Sequence, residues 1–154
     1  MRFLPRNDGI DHINIYSKGT TELGYTLSNF ACTPFTCEDG RFLSVEGYWY
    51  WLSVDENHPR REELRAAKGW RAKELGRELR GSDWVESVDF KRKICDAIRA
   101  KIEQTEGLKE LLRESVLPFT HYYVYDGKKK NVKDGEWIIE FISNLRNEIK
   151  YHEV

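Results

Sequence analysis

What this sequence has little of narrows its function before any motif is sought. It holds one methionine, four prolines and three cysteines in 154 residues. Cys32, Cys37 and Cys95 include no second pair at metal-like spacing, which excludes a zinc ribbon or finger. Reduced, partly buried thiols are expected instead. No stretch approaches the ~18–20 consecutive apolar residues of a membrane-spanning helix. The opening MRFLPRNDGI lacks the apolar run of a signal peptide. A cytoplasmic protein without a membrane partner is therefore expected. Charge of one sign is also missing: 25 basic and 26 acidic residues leave a net −1. Bulk electrostatics thus argues for neither a nucleic-acid nor a membrane partner, although a local basic patch stays open. Walker loops, GxGxxG, HExxH and nucleophile elbows are absent from the sequence. No metal or other cofactor is called for by the residues.

What is present suffices for a core. Hydrophobic residues make up 40% and aromatic residues 13%, and the length suits one domain spanning residues 1–154. Residues 1–12, broken by Pro5 and Gly9, read as an irregular lead-in. Ile13 to Tyr16 alternates like a short half-buried strand. Residues 17–30 read as a loop ending in Leu27-Ser28-Asn29-Phe30. Asp39-Gly40 predicts a hairpin between two short strands. Ser44 is a plausible N-cap for a helix to about Leu52 whose aromatic composition marks it as buried on most sides. Residues 60–80 read as charged helix opened by Pro59.

Asp83 and Glu86 resemble a capping box, predicting a long helix to about Gln104 with Val88, Cys95, Ile98 and Ile102 on one stripe. A further helix is expected over Leu108–Glu114, then a strand over His121–Tyr125, a turn at Asp126-Gly127 and a basic loop at Lys128–Lys130. A last amphipathic helix runs from about Asp134 to Lys150. The sum is an α+β fold, mostly helical around a small, mainly antiparallel sheet.

Glu46 is the most informative residue. A lone carboxylate in an otherwise buried helix must be neutralised, hydrogen-bonded or turned to a cavity. The plainer alternative is a carboxylate at a helix N-terminus, favoured by the dipole and facing solvent. Asp126 suits an ordinary turn. Trp84 packs a core in the plain reading, or stacks on a base or ribose. Lys128 to Lys130 form a solvated turn or lean on phosphates, as do Arg77 and Lys101 in the functional reading. His121 reads as a strand-edge histidine.

The order of these segments resembles the NADAR (YbiA-like) family. Ile13-Asn14-Ile15-Tyr16, Leu27-Ser28-Asn29-Phe30 and Ser44-Val45-Glu46-Gly47-Tyr48 are similar to its opening strand, its Phe-Ser-Asn-Phe motif and its Ser-x-Glu-His-Tyr. Ala72 to Arg77 resembles its Leu-Gly-Arg segment. Trp84 with Arg99 to Gln104 resembles its Trp and Ala-Lys-Phe-x-Gln helix. Tyr125-Asp126-Gly127 with Lys130-Asn131 resembles a reduced Trp-Gly-Asp-Gly…Gly-x-Asn stretch, and Leu145-Arg146 its final helix. The match spans about residues 13–147, and the Gly-Tyr-Trp-Tyr-Trp variant resembles a phage-encoded branch.

The resemblance implies an N-glycosidase acting on an ADP-ribose-like N-riboside, such as an ADP-ribosylated guanine base or an early riboflavin-pathway intermediate. It implies catalytic roles for Glu46, Trp84 and Asp126, and puts Asn29, Phe30, Tyr48, Arg77, Lys101, Lys130 and Asn131 near the ligand. The partner implied is a small nucleotide or an ADP-ribosylated nucleic-acid base. Three departures stand out. Gly47 replaces a His, Ser53 or its neighbour stands where the family usually has a Lys, and the Asp-Gly loop is recast. They leave open a non-catalytic protein that sequesters an ADP-ribose-derived or other signalling nucleotide. A structural or partner-binding role is a third reading.

Overall fold

A computed structural model describes residues 2–152 of the chain. Along it run β1 (Ile13–Asn14), α1 (Glu22–Leu27), β2 (Phe35–Cys37), β3 (Gly40–Phe42), α2 (Val45–Ser53), α3 (Gly69–Arg80), α4 (Phe90–Gln104), α5 (Leu108–Glu114), β4 (Phe119–Thr120), β5 (Tyr122–Tyr125), β6 (Lys128–Asn131) and α6 (Glu136–Tyr151). The architecture is α+β. The strands form three two-stranded ladders: β2–β3 and β5–β6 antiparallel, β1–β4 parallel. Among the described residues, no helix is long and apolar enough to cross a membrane. The chain divides into two compact units, Asn29–Glu106, and Met1–Ser28 with Gly107–Val154.

The middle unit is organised by α2. The Ser44 side chain accepts from the Gly47 amide at 3.0 Å, as the expected N-cap should. The same hydroxyl donates to the Ala67 carbonyl at 2.8 Å, tying the helix start to the segment that leads into α3. The Asp39-Gly40 turn closes the β2–β3 hairpin, with Gly40 at φ 105°. Behind it Phe35, Phe42, Tyr48 and Trp51 pack as an aromatic cluster, with centroids 4.6 Å apart for Phe42 and Tyr48 and 5.5 Å for Phe42 and Trp51. Arg61 caps the cluster, its guanidinium 3.5 Å from the Trp51 ring centroid.

Two glycines let backbones meet there. A Cβ on Gly47 would lie 2.5 Å from the Leu64 carbonyl oxygen. One on Gly76 would lie 2.0 Å from Tyr50 Cγ. The first seats the 3-10 segment Arg61–Ala66 on α2, and the second brings α3 against it.

The unit built from both ends of the chain rests on buried polar pairing. The Asn14 side chain treats the Tyr122 backbone as a strand partner, donating to its carbonyl at 3.0 Å and accepting from its amide at 2.9 Å. Asp8 accepts from the amides of Asn14 and Thr20, both at 2.9 Å. His12 is fully buried, 2.6 Å from the Tyr122 hydroxyl, and stacks on Phe3. In α6, Ile142, Leu145 and Ile149 form the buried stripe.

Four expectations need correction. The long helix α4 starts at Phe90, with Asp89 as its N-cap, and not at Asp83. Val85 and Val88 are 82% and 102% exposed, so a helix through them would gain no apolar contact. Residues 17–30 are not all loop, because Thr21 caps the short helix α1 by accepting from the Gly24 amide. Residues 61–66 form a 3-10 segment, not part of one α-helix. Lys128–Lys130 is strand β6, pairing with β5, and not a basic loop.

A candidate active site on α2 and α3

Glu46 sits in the first turn of α2, and its amide donates to the Asn29 carbonyl at 2.9 Å. The loop bearing Asn29 and Phe30 is thereby fastened to the start of the helix. Phe30 in turn accepts from the Gly69 amide at 2.9 Å and meets the exposed Trp70 ring edge-on, centroids 6.4 Å apart. Both ends of this loop are thus held by the starts of the two helices that flank Glu46.

On α3, Lys73, Arg77 and Arg80 recur four and three residues apart. That spacing puts the three cations on one helix face. Opposite them, α2 presents Glu46 and, one turn later, Tyr50. Burial pushes the Glu46 carboxyl up to about 7, against the pull of Lys73 and Arg77. Glu46 keeps a partly accessible edge, yet the dense protein around it makes desolvation the dominant effect. The neighbours feel it reciprocally. Burial and Arg77 lower the Lys73 ammonium while Glu46 raises it. Burial and the Glu46 charge raise the Tyr50 phenol.

Arg80 extends this wall to Trp84. Its guanidinium lies 5.2 Å from the Tyr50 ring centroid and 4.9 Å from that of Trp84. Trp84 also meets Phe90 edge-on at 5.7 Å, and Phe90 meets Trp49 of α2 at 4.8 Å. Trp84 does not open a helix. It lies in the coil before α4, half-buried, held by a cation on one side and a ring on the other. Glu46, Asn29, Phe30, Arg77 and Trp84 therefore belong to one connected set within one unit.

Two expected ligand contacts are corrected. Tyr48 is 0% exposed, packed among Phe35, Phe42 and Trp51, and its hydroxyl donates to Asp39 at 2.7 Å. It has no surface to offer a ligand and serves the core. Lys101 is 1% exposed within α4, and burial pushes its ammonium down to about 7. It is an interior residue of α4. Asp126, Lys130 and Asn131 are all exposed and belong to the other unit, on the β5–β6 hairpin. Asp126 occupies the turn at φ 49°, followed by Gly127 at φ 73°, the paired left-handed conformation of a tight hairpin.

Residue-by-residue reading missed Tyr50, Trp70, Lys73 and Arg80. The i, i+4, i+7 recurrence of cations on α3 was visible in the sequence. What was not visible was that α2 would lie against that face. Chemically, the arrangement sets a carboxyl raised by burial beside two cations, Lys73 and Arg77, with Arg80 continuing the positive face between the Tyr50 and Trp84 rings.

The departures from the family pattern have local causes. Gly47 is required by the Leu64 carbonyl, which leaves no room for a side chain. Ser53, 6% exposed, donates its hydroxyl to the Trp49 carbonyl at 2.8 Å, so no amine stands at that point of α2.

No family model matches the sequence, and no curated protein matches it. Among solved structures, the NMR structure of the Escherichia coli protein YbiA does match. It covers 99% of this chain and 89% of its own at a TM-score of 0.70, with 21% sequence identity. Identity that low leaves the activity to be argued from the site, but the architecture is settled: this chain has the YbiA fold, the fold implied by its resemblance to the NADAR family.

Proposed function

We propose that this chain is a NADAR-type N-glycosidase that cleaves an ADP-ribose-like N-riboside. The observation that carries the reading is the placement of Glu46 in the first turn of α2 against Lys73 and Arg77 of α3, where burial pushes its carboxyl up to about 7. A group that exchanges its proton near the working pH is what acid–base catalysis needs.

Cleavage breaks the bond between the ribose C1 carbon and the base nitrogen, and the bonding pair leaves with the nitrogen. The positive charge left on the sugar is stabilised by the Glu46 carboxylate. Water then forms the new carbon–oxygen bond and loses a proton to that carboxylate. The proton that Glu46 takes from the water passes to the nitrogen of the leaving base, so charge and atoms balance and the carboxylate is restored. Lys73, Arg77 and Arg80 supply positive charge for a pyrophosphate. Trp84, steadied by Arg80 and Phe90, offers a face to the base or ribose.

The test is Glu46→Gln, assayed by chromatography of the base released from ADP-ribosylated guanosine and related N-ribosides. Losing one well-placed electrostatic group costs ~10²–10³ in rate. Turnover unchanged in the variant would remove Glu46 from the mechanism and the proposal with it.

A second reading has one observation in its favour. Ser53, whose buried hydroxyl bonds the Trp49 carbonyl, or its neighbour stands where the resemblance leads one to expect a lysine. That favours a protein that holds an ADP-ribose-derived nucleotide without cutting it. Calorimetric titration with recovery of the intact ligand would support this reading, and released base would refute it.

A further inference from the structure

The β5–β6 hairpin carries features that the Glu46 site does not use. Its strands alternate cleanly. Tyr122 and Lys129 face inward, with Tyr122 1% exposed and the Lys129 ammonium donating to the Phe3 carbonyl at 2.9 Å. Tyr123 and Tyr125 point to the other face, paired across the ladder with Lys130 and Lys128.

On that outer face the rings form a continuous row. His121 lies 5.4 Å from Tyr123, and Tyr123 lies 6.1 Å from Tyr125, with Tyr16 5.6 Å behind Tyr123. Tyr125 is 54% exposed, and the Lys130 ammonium sits 5.9 Å from its ring centroid. Residues 121–136 contain four lysines against Asp126, Asp134 and Glu136, a local net of +1, with Lys128 and Lys130 on the same face of the ladder as Tyr123 and Tyr125. At its inner end the row runs into a cleft of about 640 Å³, walled by Thr120, His121, Asn131 and Lys133 together with the acidic Asp134 and Glu136. That volume falls in the range of small-ligand sites. Pairing across the ladder with lysines accounts for the strand, but not for a tyrosine, Tyr125, that leaves more than half of its surface in water next to the half-buried Tyr123.

We infer that the outer face of the β5–β6 hairpin binds single-stranded nucleic acid. Successive bases stack on Tyr125 and Tyr123, phosphates lie against Lys128 and Lys130, and a terminal nucleotide enters the cleft beside His121. Stacked aromatics within a basic rim are the chemistry by which unpaired bases are held without sequence readout. An acidic peptide would meet the lysines but leave the rings unused. The inference goes beyond the glycosidase reading and uses none of the residues gathered around Glu46.

The experiment is fluorescence anisotropy of the full chain with labelled oligothymidylate and oligoadenylate of roughly 12 nucleotides, at about 50 and about 200 mM salt. The expected result is binding that weakens with salt. Tyr125→Ala should lose about tenfold in affinity, and Tyr125→Phe should retain it. Replacing both Lys128 and Lys130 by Ala should lower the salt dependence by about 0.7 in log–log slope per lysine. Tyr125 is more than half exposed, so circular dichroism should show its variants folded like the wild type.

Three results would overturn the inference: no binding at low salt, duplex bound as tightly as single strand, or polyglutamate competing equally while Tyr125→Ala binds like the wild type. Failure of oligonucleotide binding with Glu46-dependent turnover intact would sink this inference alone. Loss of Glu46-dependent turnover as an explanation, with the oligonucleotide still bound, would sink the other alone.

Discussion

Replacing Glu46 by Gln should make the protein more stable, and the gain should depend on pH. The Glu46 carboxyl lies at about 7 in the folded protein against its ordinary 4.5. The folded state therefore prefers the protonated form. The stability associated with that form is fully present below pH 4.5 and is lost as the pH rises through 7. One pH unit corresponds to about 1.4 kcal/mol, so keeping the carboxylate ionised costs about 3 kcal/mol well above neutrality. Partial solvent contact at Glu46 trims this to about 2 kcal/mol.

Glutamine keeps the shape and cannot ionise, so it escapes the cost. At pH 8 the variant should melt about 4–8 °C above the wild type. At pH 5, where most of the cost is absent, the two curves should nearly coincide. Urea titrations at the two pH values would check the same difference in free energy. A variant that is equally or less stable than wild type at pH 8, or one with the same gain at both pH values, would refute the idea of a strained, desolvated carboxyl. Paired with lost turnover, the predicted gain would be a direct case of activity held at the expense of stability.

Other substitutions probe the close approaches that frame this carboxyl. Gly76→Ala would drive a methyl into the Tyr50 ring, whose Cγ would be 2.0 Å away. It should cost about 3 kcal/mol in a urea titration, because α2 and α3 must part. Gly47→His, which restores the residue implied by the resemblance, should destabilise by about 3 kcal/mol or more against the Leu64 carbonyl, and so should not raise activity. Soluble yield and melting temperature would show it, and a well-folded, more active variant would contradict this account of Gly47.

Much of the fold was legible because it rests on local chemistry. The Ser44 cap, the Asp39-Gly40 and Asp126-Gly127 turns and the helix Leu108–Glu114 all follow from a few adjacent residues, and each appears where the sequence puts it. The start of α4 was misread for a specific reason. Asp83 and Glu86 have capping-box spacing, but Val85 and Val88 stand in solvent with no apolar surface to pack on, and tertiary contact decides most helices. The strand at Lys128–Lys130 was hidden because lysines are poor strand formers, and cross-strand tyrosines supply what propensity lacks.

In the candidate site, Glu46 stood out as a carboxylate among aromatics. Its partners did not, since Lys73 and Arg80 look like any solvated helix face until α2 is laid against them. The resemblance implies a ligand contact at Tyr48, but two residues along a helix turn a side chain by about 200°, and that rotation sends Tyr48 into the core.

The β1–β4 ladder joins Ile13 to Phe119 and Asn14 to Thr120, with every residue of the middle unit lying between them in the chain. A ribosome that has made residues up to 106 has delivered the whole middle unit, while the first strand still waits for a neighbour that has not been synthesised. Assembly of the outer unit is thus a late event in translation, and its pairing must bridge a long separation in sequence. A premature stop between residue 106 and β4 would leave Ile13 and Asn14 as an orphaned edge, whatever the condition of the helix that bears Glu46.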